Sequence, residues 1–156
     1  MVWRRRIEPF VRPFLRTGFR LRRGMTLGVR GLVLDADGKV LLVEHTYIHG
    51  WHLPGGGVER GESAERALER ELGEEAGVRP IWPVRLVLID NDEARFRGDH
   101  VLLYRVDQWT PCPASARGEI LRIGWFDPSD PPFGVTADTQ RRIAAGLALP
   151  DLALST

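Results

Sequence analysis

A single cysteine, Cys112, among 156 residues means that no internal disulfide staples this chain. No stretch approaches the roughly 20 consecutive apolar residues that a bilayer-spanning helix needs, and the N-terminus has no uninterrupted apolar run of the secretory type. These absences point to the cytoplasm, where an unpaired thiol is ordinary, and Cys112 reads as a loop thiol. Internal repeats and low-complexity segments are also missing. What is present, 43% hydrophobic and 28% charged residues, is too apolar for a wholly disordered chain and suits one compact domain.

The formal net charge of +1 hides an asymmetry, because residues 1–24 carry eight arginines against one glutamate and leave the remainder acidic. Within that head Trp3, Ile7, Phe10, Phe14 and Leu21 recur at near-helical spacing, although Pro9 and Pro13 interrupt a continuous helix. Three readings compete. The segment packs on its own domain or on a second subunit in a homodimer, makes a peripheral contact with anionic lipid, or contacts RNA or another phosphate chain. An organelle transit peptide has a similar composition.

From Met25 the pattern is that of strands. Thr26–Leu34 and Val40–Glu44 are aliphatic, and Asp35-Ala36-Asp37-Gly38-Lys39 between them has tight-turn chemistry, so a β-hairpin is expected. Trp51–Leu53 reads as a short strand entering Pro54-Gly55-Gly56-Gly57, where glycines let the backbone approach a ligand closely. Ser63–Ala76 predicts a helix, N-capped by Ser63 and stopped by Gly77. Ala64, Leu68 and Leu72 form its buried stripe, and Glu71, Glu74 and Glu75 share one edge within an arc of about 100°. Like charges at such spacing repel, by a few tenths of a kcal/mol per exposed pair. A divalent cation reverses that penalty, and carboxylate oxygens are the hard ligands that Mg²⁺ or Mn²⁺ prefers. A solvated acidic face balanced by Arg66 and Arg70 is the alternative.

The wider spacing decides between them. From Gly56 there are five residues to Glu62, seven more to Arg70, and then Glu71-Leu72-Gly73-Glu74-Glu75-Ala76-Gly77-Val78. This resembles the Nudix box, G-x5-E-x7-R-E-U-x-E-E-x-G-U with U aliphatic, and agrees at all nine specified positions. At average residue frequencies, chance gives such a match in a chain this long with a probability below about one in ten million. The resemblance extends from about Met25 to Leu147 and implies an α/β fold, an α/β/α sandwich with a mixed sheet flanked by helices. It divides the chain into a basic segment 1–24, a Nudix hydrolase domain 25–147 and a tail 148–156.

It further implies hydrolysis of the pyrophosphate bond in a nucleoside diphosphate linked to another moiety, with Mg²⁺, or Mn²⁺ in its place. Glu71, Glu74 and Glu75 match the family's metal-binding carboxylates, and Gly55 the position whose carbonyl often completes the set. Arg70 and Glu62 match supporting positions. The chemistry requires this equipment, because water must attack a phosphorus surrounded by negative oxygens. A carboxylate accepts the water's proton, a role worth roughly 10² to 10⁴ in rate. Glu75 or Glu71 is the candidate within the box; Asp90, Asp92 and Glu93 are candidates outside it, with Glu93 ranked first.

Arg85–Ile89, Val101–Val106 and Ile120–Phe126 read as further strands, and Thr136–Leu147 as the last helix, with Thr136 as its cap. Substrate choice is left to residues outside the box. Tyr47, Trp51 and His52 precede the glycine loop as candidates for stacking on a base or touching a phosphate, while Arg95, Arg97 and His100 are candidate anion contacts; packing is the alternative for Trp51, and a hydrogen-bonded structural role for a lone histidine beside a strand. Three functions remain open: a pyrophosphohydrolase of small nucleotides, nucleotide sugars or nucleoside triphosphates; the same chemistry on 5′-triphosphorylated RNA; and a nucleotide-binding sensor without turnover.

Overall fold

The computed structural model describes residues 25–91, 98–116 and 118–149. The basic segment 1–24, the acids Asp92 and Glu93, the cations Arg95 and Arg97, and the tail beyond residue 149 lie outside the described residues.

Strand β1 (Thr26–Val33) pairs in parallel with β6 (Asp99–Val106), in register from Thr26↔Asp99 to Val33↔Val106. Antiparallel β5 (Arg85–Asn91) extends this sheet on the far side of β6, with a bulge between Leu86 and Leu88. A second sheet has β2 (Val40–His45) at its centre, flanked by β3 (Trp51–His52) and β8 (Ile120–Phe126), all antiparallel. The short strands β4 (Val78–Pro80) and β7 (Trp109–Pro111) pair with each other.

The expected hairpin is therefore present only at its mouth. The Asp35–Lys39 turn forms, with Gly38 N–H donating to Asp35 O and Asp35 N–H to Lys39 O, and a single bridge joins Leu34 to Val40. Beyond it β1 and β2 diverge into different sheets. The physical reason lies in the side chains. Val29 and Val33 bury one face of β1 and Leu32 the other, so the strand takes a buried parallel partner.

Those two faces are the two halves of the core. Val29, Val33, Leu41, Tyr104 and Val106 pack under α1 (Ala64–Ala76) against Ala67, Leu68 and Leu72. Leu32, Leu42, Leu53, Trp51 and Leu103 pack on the opposite side against Ile143 of α2 (Ala137–Leu147). The result is a helix on each side of the strands, as the sequence leads one to expect. The caps also agree. Ser63 Oγ accepts from Arg66 N–H, Thr136 Oγ1 from Thr139 N–H, and Gly77 closes α1 in the left-handed conformation at φ 66°. No helix among the described residues is long and apolar enough to cross a membrane.

Asp90 is committed to this scaffold. Its Oδ1 accepts from Arg141 Nη1 at 3.1 Å and its Oδ2 from Arg142 Nε at 3.1 Å, tying β5 to α2. The Arg141 hydrogen bond and the Arg142 charge hold the Asp90 carboxyl below the usual carboxylate range. A lowered folded value means that the tie stabilises above the unfolded pKa and is lost as pH falls through the folded one. Asp90→Asn is expected to remove about 2 kcal/mol at neutral pH, a drop in Tm of about 4–8 °C. The gap between variant and wild type should close when denaturation is followed downward from pH 5 to pH 2; an undiminished gap would rule out the ion pairs as its source.

Candidate active site

The glycine loop lies antiparallel along β1. Val29 N–H donates to Gly56 O, Gly31 N–H to Pro54 O and Val58 N–H to Leu27 O, each at 2.9 Å. This clamp sets the backbone so close that Gly55, at φ 141°, has no room for a side chain: a Cβ there would run into the Val29 carbonyl oxygen. At Gly56 the intruder would be a carboxylate, since an added Cβ would fall 2.6 Å from Glu71 Cδ. The run of glycines thus lets the main chain press against the acidic edge of α1.

The helix presents that edge because Leu68 and Leu72 must face the core, which rotates Glu71 and Glu75 toward the loop. Both are buried, at 6% and 5% exposure, while Glu74 is half-buried. Arg70 organises the outer side. Its Nε and Nη2 grip the two Glu62 oxygens at 2.9 and 3.0 Å, Nη2 also reaches Gly57 O at 3.1 Å, and Nη1 lies 2.6 Å from Glu71 Oε1 and 3.6 Å from Glu74 Oε2. Such a fork suits guanidinium and no other side chain. Glu75 is held from the inner side, its Oε2 accepting from Gly55 N–H and its Oε1 meeting His45 Nε2, both at 2.9 Å.

Burial pushes the Glu71 carboxyl above its ordinary range; the Arg70 hydrogen bond opposes the shift, and the charges of Glu75 and Glu74 reinforce it. This electrostatic imbalance bears on whether a divalent cation suits the site. The donor set is all oxygen and densely negative, with two of its carboxylates out of water, which fits a hard cation. As the side chains stand, no group of three acidic, histidine or cysteine residues among the described residues is gathered to ligand geometry. Glu71 is engaged by Arg70, and Glu75 by His45 and Gly55 N–H, each carboxylate keeping lone pairs free beside these contacts. Arg30 Nη1 donates to the Gly55 carbonyl, the loop's own candidate ligand.

The remaining expected site residues are placed unequally. Tyr47 is 58% exposed, with its ring centroid 5.2 Å from that of His45. Desolvation and then the Glu75 charge raise its hydroxyl above the usual phenol value, so it stands within the electrostatic reach of the site. His52 lies 5.8 Å from His45, ring to ring, and its Nε2 contacts His49 O at 3.1 Å. Trp51 departs from the substrate contact expected of it. It is 6% exposed in the core, edge-on to Phe126 at 4.8 Å and covered by the Arg122 guanidinium at 5.1 Å, because β3 turns that face inward. His100 Nδ1 contacts Gly98 O at 3.2 Å.

Two residues of the site were not anticipated from the sequence, Arg30 and His45. Each interrupts or ends an apolar strand, Arg30 within Thr26–Val33 and His45 after Val40–Val43, and a polar residue in that setting is the signal that could have found them.

A family model described as NUDIX domain matches residues 24–146. The chain belongs to the NUDIX family. Members of this family generally work with divalent metal ions. This NUDIX protein is 41% identical over 63 residues to an RNA pyrophosphohydrolase of Shewanella piezotolerans (strain WP3), a match that covers 40% of this chain and only 33% of that relative. It is 30% identical over 119 residues to a candidate 8-oxo-dGTP diphosphatase of Bacillus subtilis (strain 168), covering 76% of this chain and 77% of the other. Among solved structures, a MutT NUDIX hydrolase from Burkholderia pseudomallei superposes with a TM-score of 0.66 at 25% identity, over 77% of this chain and 96% of that one.

Proposed function

We propose that this NUDIX protein is a hydrolase dependent on Mg²⁺, or on Mn²⁺ in its place, that cuts the pyrophosphate bond of a small nucleotide: a nucleotide sugar or similar conjugate, or a nucleoside triphosphate. The observation that carries the reading is the pairing of buried Glu71 and Glu75 with half-buried Glu74, along one edge of a rigid helix and against the Gly55–Gly57 backbone. Glu71, Glu74, Glu75 and the Gly55 carbonyl are the residues that would hold the ion. When bound there, a divalent cation neutralises phosphate charge and lowers the pKa of the attacking water. Arg70 orients Glu71 and is itself fixed by Glu62. Glu75 or Glu71 accepts the water's proton, with Glu93 as the candidate from the loop after β5. Tyr47 and His52 flank the approach as substrate contacts, and Arg30 adds a guanidinium of the kind that pairs with phosphate oxygens.

The test is the identity of the products. Chromatography after incubation with nucleotide sugars, dinucleotides and nucleoside triphosphates should show a nucleoside monophosphate together with the phosphorylated remainder, or pyrophosphate from a triphosphate. A free nucleoside, or orthophosphate alone from every substrate, would contradict cleavage at the internal bond.

A second reading, action on 5′-triphosphorylated RNA, is favoured by the eight arginines of residues 1–24 and by the likeness to RNA pyrophosphohydrolases. On single strands, log K falls with log salt at about −0.7 per phosphate neutralised. Replacing Arg4, Arg5 and Arg6 with glutamine should therefore flatten the salt slope for RNA by about 2, while turnover of small nucleotides stays at the wild-type level. An unchanged slope would separate the basic segment from RNA recognition.

A further inference from the structure

His45 is the buried titratable group for which neither the helix motif nor the family match supplies a task. It ends β2, just past a bulge between Glu44 and His45, and is 6% exposed behind four apolar residues, Val40–Val43. Its Nε2 lies 2.9 Å from Glu75 Oε1, whereas its Nδ1 is buried without a hydrogen-bond partner among the described residues. A buried imidazole with one unsatisfied nitrogen is a poorer core residue than leucine, since the bare polar atom forfeits its solvation. The contact with Glu75 is the compensating feature.

We infer that His45 is a positioning residue for the metal-binding carboxylate of Glu75, donating from Nε2 and thereby fixing the direction in which Glu75 presents its free lone pairs. This rests on the site reading proposed above. An ionised carboxylate has about four acceptor sites. His45 takes one on Oε1, and Gly55 N–H takes one on Oε2 at 2.9 Å, leaving one on each oxygen. The two donors come from separate elements, β2 and the glycine loop, so together they define the plane of the carboxylate. With only the Gly55 contact left, the group could swing about that single hydrogen bond. Carboxylates that ligate metals are commonly held by such outer hydrogen bonds, and removing one weakens metal binding or activity by about 10- to 100-fold. The rings of Tyr47 and His52 stand 5.2 and 5.8 Å from that of His45.

The experiment is Mn²⁺ binding to the full-length chain, by electron paramagnetic resonance titration without nucleotide, for wild type, His45→Leu, His45→Gln and His45→Asn. Glutamine places its amide nitrogen where Nε2 stands, and asparagine falls short of Glu75. The expected result is Mn²⁺ affinity about 10- to 100-fold weaker in the Leu and Asn variants and restored to within about threefold in the Gln variant. At saturating metal, the nucleotide KM should be unchanged in all of them. In a Glu75→Gln background, His45→Leu should have no further effect on Mn²⁺ affinity. Wild-type affinity in folded His45→Leu overturns the inference and leaves a packing role. If that variant fails to fold, equal affinities for the Gln and Asn variants overturn it instead. Failure of the underlying site reading is separately visible, because wild type and Glu75→Gln would then bind Mn²⁺ alike.

Discussion

Glu75→Gln should lower turnover by about 10² to 10⁴-fold and leave the protein folded. The two halves of this expectation have different origins. Glutamine keeps the volume; its amide oxygen can still accept from Gly55 N–H, and its NH2 donates to Nε2 of His45 in the tautomer that carries the proton on Nδ1, so the loop stays seated. It also removes one of the negative charges that raise the neighbouring Glu71 carboxyl, and relief of like-charge repulsion does not destabilise a site without cation. What disappears is a full charge on an oxygen donor in a desolvated position, where charge matters most. Thermal denaturation separates these contributions. Without metal, the variant should melt no lower than wild type; with Mn²⁺, wild type should rise while the variant stays put, following mass action of ligand on the folded state. Wild-type turnover in this variant would remove Glu75 from the active site.

Arg70→Met is expected to be the most destabilising single change at the site. Arg70 satisfies both Glu62 oxygens, one Glu71 oxygen and the Gly57 carbonyl, and its side chain is 21% exposed while the side chains of Glu62 and Glu71 are 15% and 8% exposed. Removing one partner of a buried pair typically costs 3–5 kcal/mol, because the other charge is left behind. Residual solvent access at Glu62 argues for the lower end, about 3 kcal/mol, or a fall in Tm of about 6–12 °C. The loss exceeds that of an ordinary surface ion pair because two carboxylates lose their counter-charge at once. Arg70→Lys should recover part of it, since the charge remains but the planar fork does not. Equal melting of wild type and Arg70→Met would show that the network contributes nothing.

The box was legible because its information is local. Ser63, Leu68, Leu72 and Gly77 each act within one helix, so spacing alone placed the caps, the buried stripe and the acidic edge. The glycine loop was legible as an approach to a ligand, though not that Glu71 is what it approaches. The sequence misled where distant partners decide. Asp35–Lys39 has the chemistry of a hairpin turn and forms one, yet β1 pairs with β6, more than seventy residues away, and the turn cannot announce that. Strands β4 and β7 escaped notice because each has three residues and includes a proline, Pro80 or Pro111, the reverse of a strand signature. His45 and Arg30 were missed for a related reason. Their roles exist only once β1, β2, the glycine loop and α1 are packed together. For Trp51 the sequence offered both a stacking contact and packing, and the core position is the packing one.

The claim at the centre of this account is that the acidic edge of α1 makes pyrophosphate hydrolysis depend on a divalent cation. Phosphate-coupled turnover of a nucleotide panel, run in Mg²⁺, in Mn²⁺ and in chelator, measures that dependence directly. Triphosphates, nucleotide sugars, dinucleotides and a short 5′-triphosphate RNA would make up the panel. The predicted result is cleavage of at least one class with either metal, abolished by chelator and restored when metal is added back. Cleavage that persists undiminished in chelator, or silence across the whole panel with both metals, would contradict it.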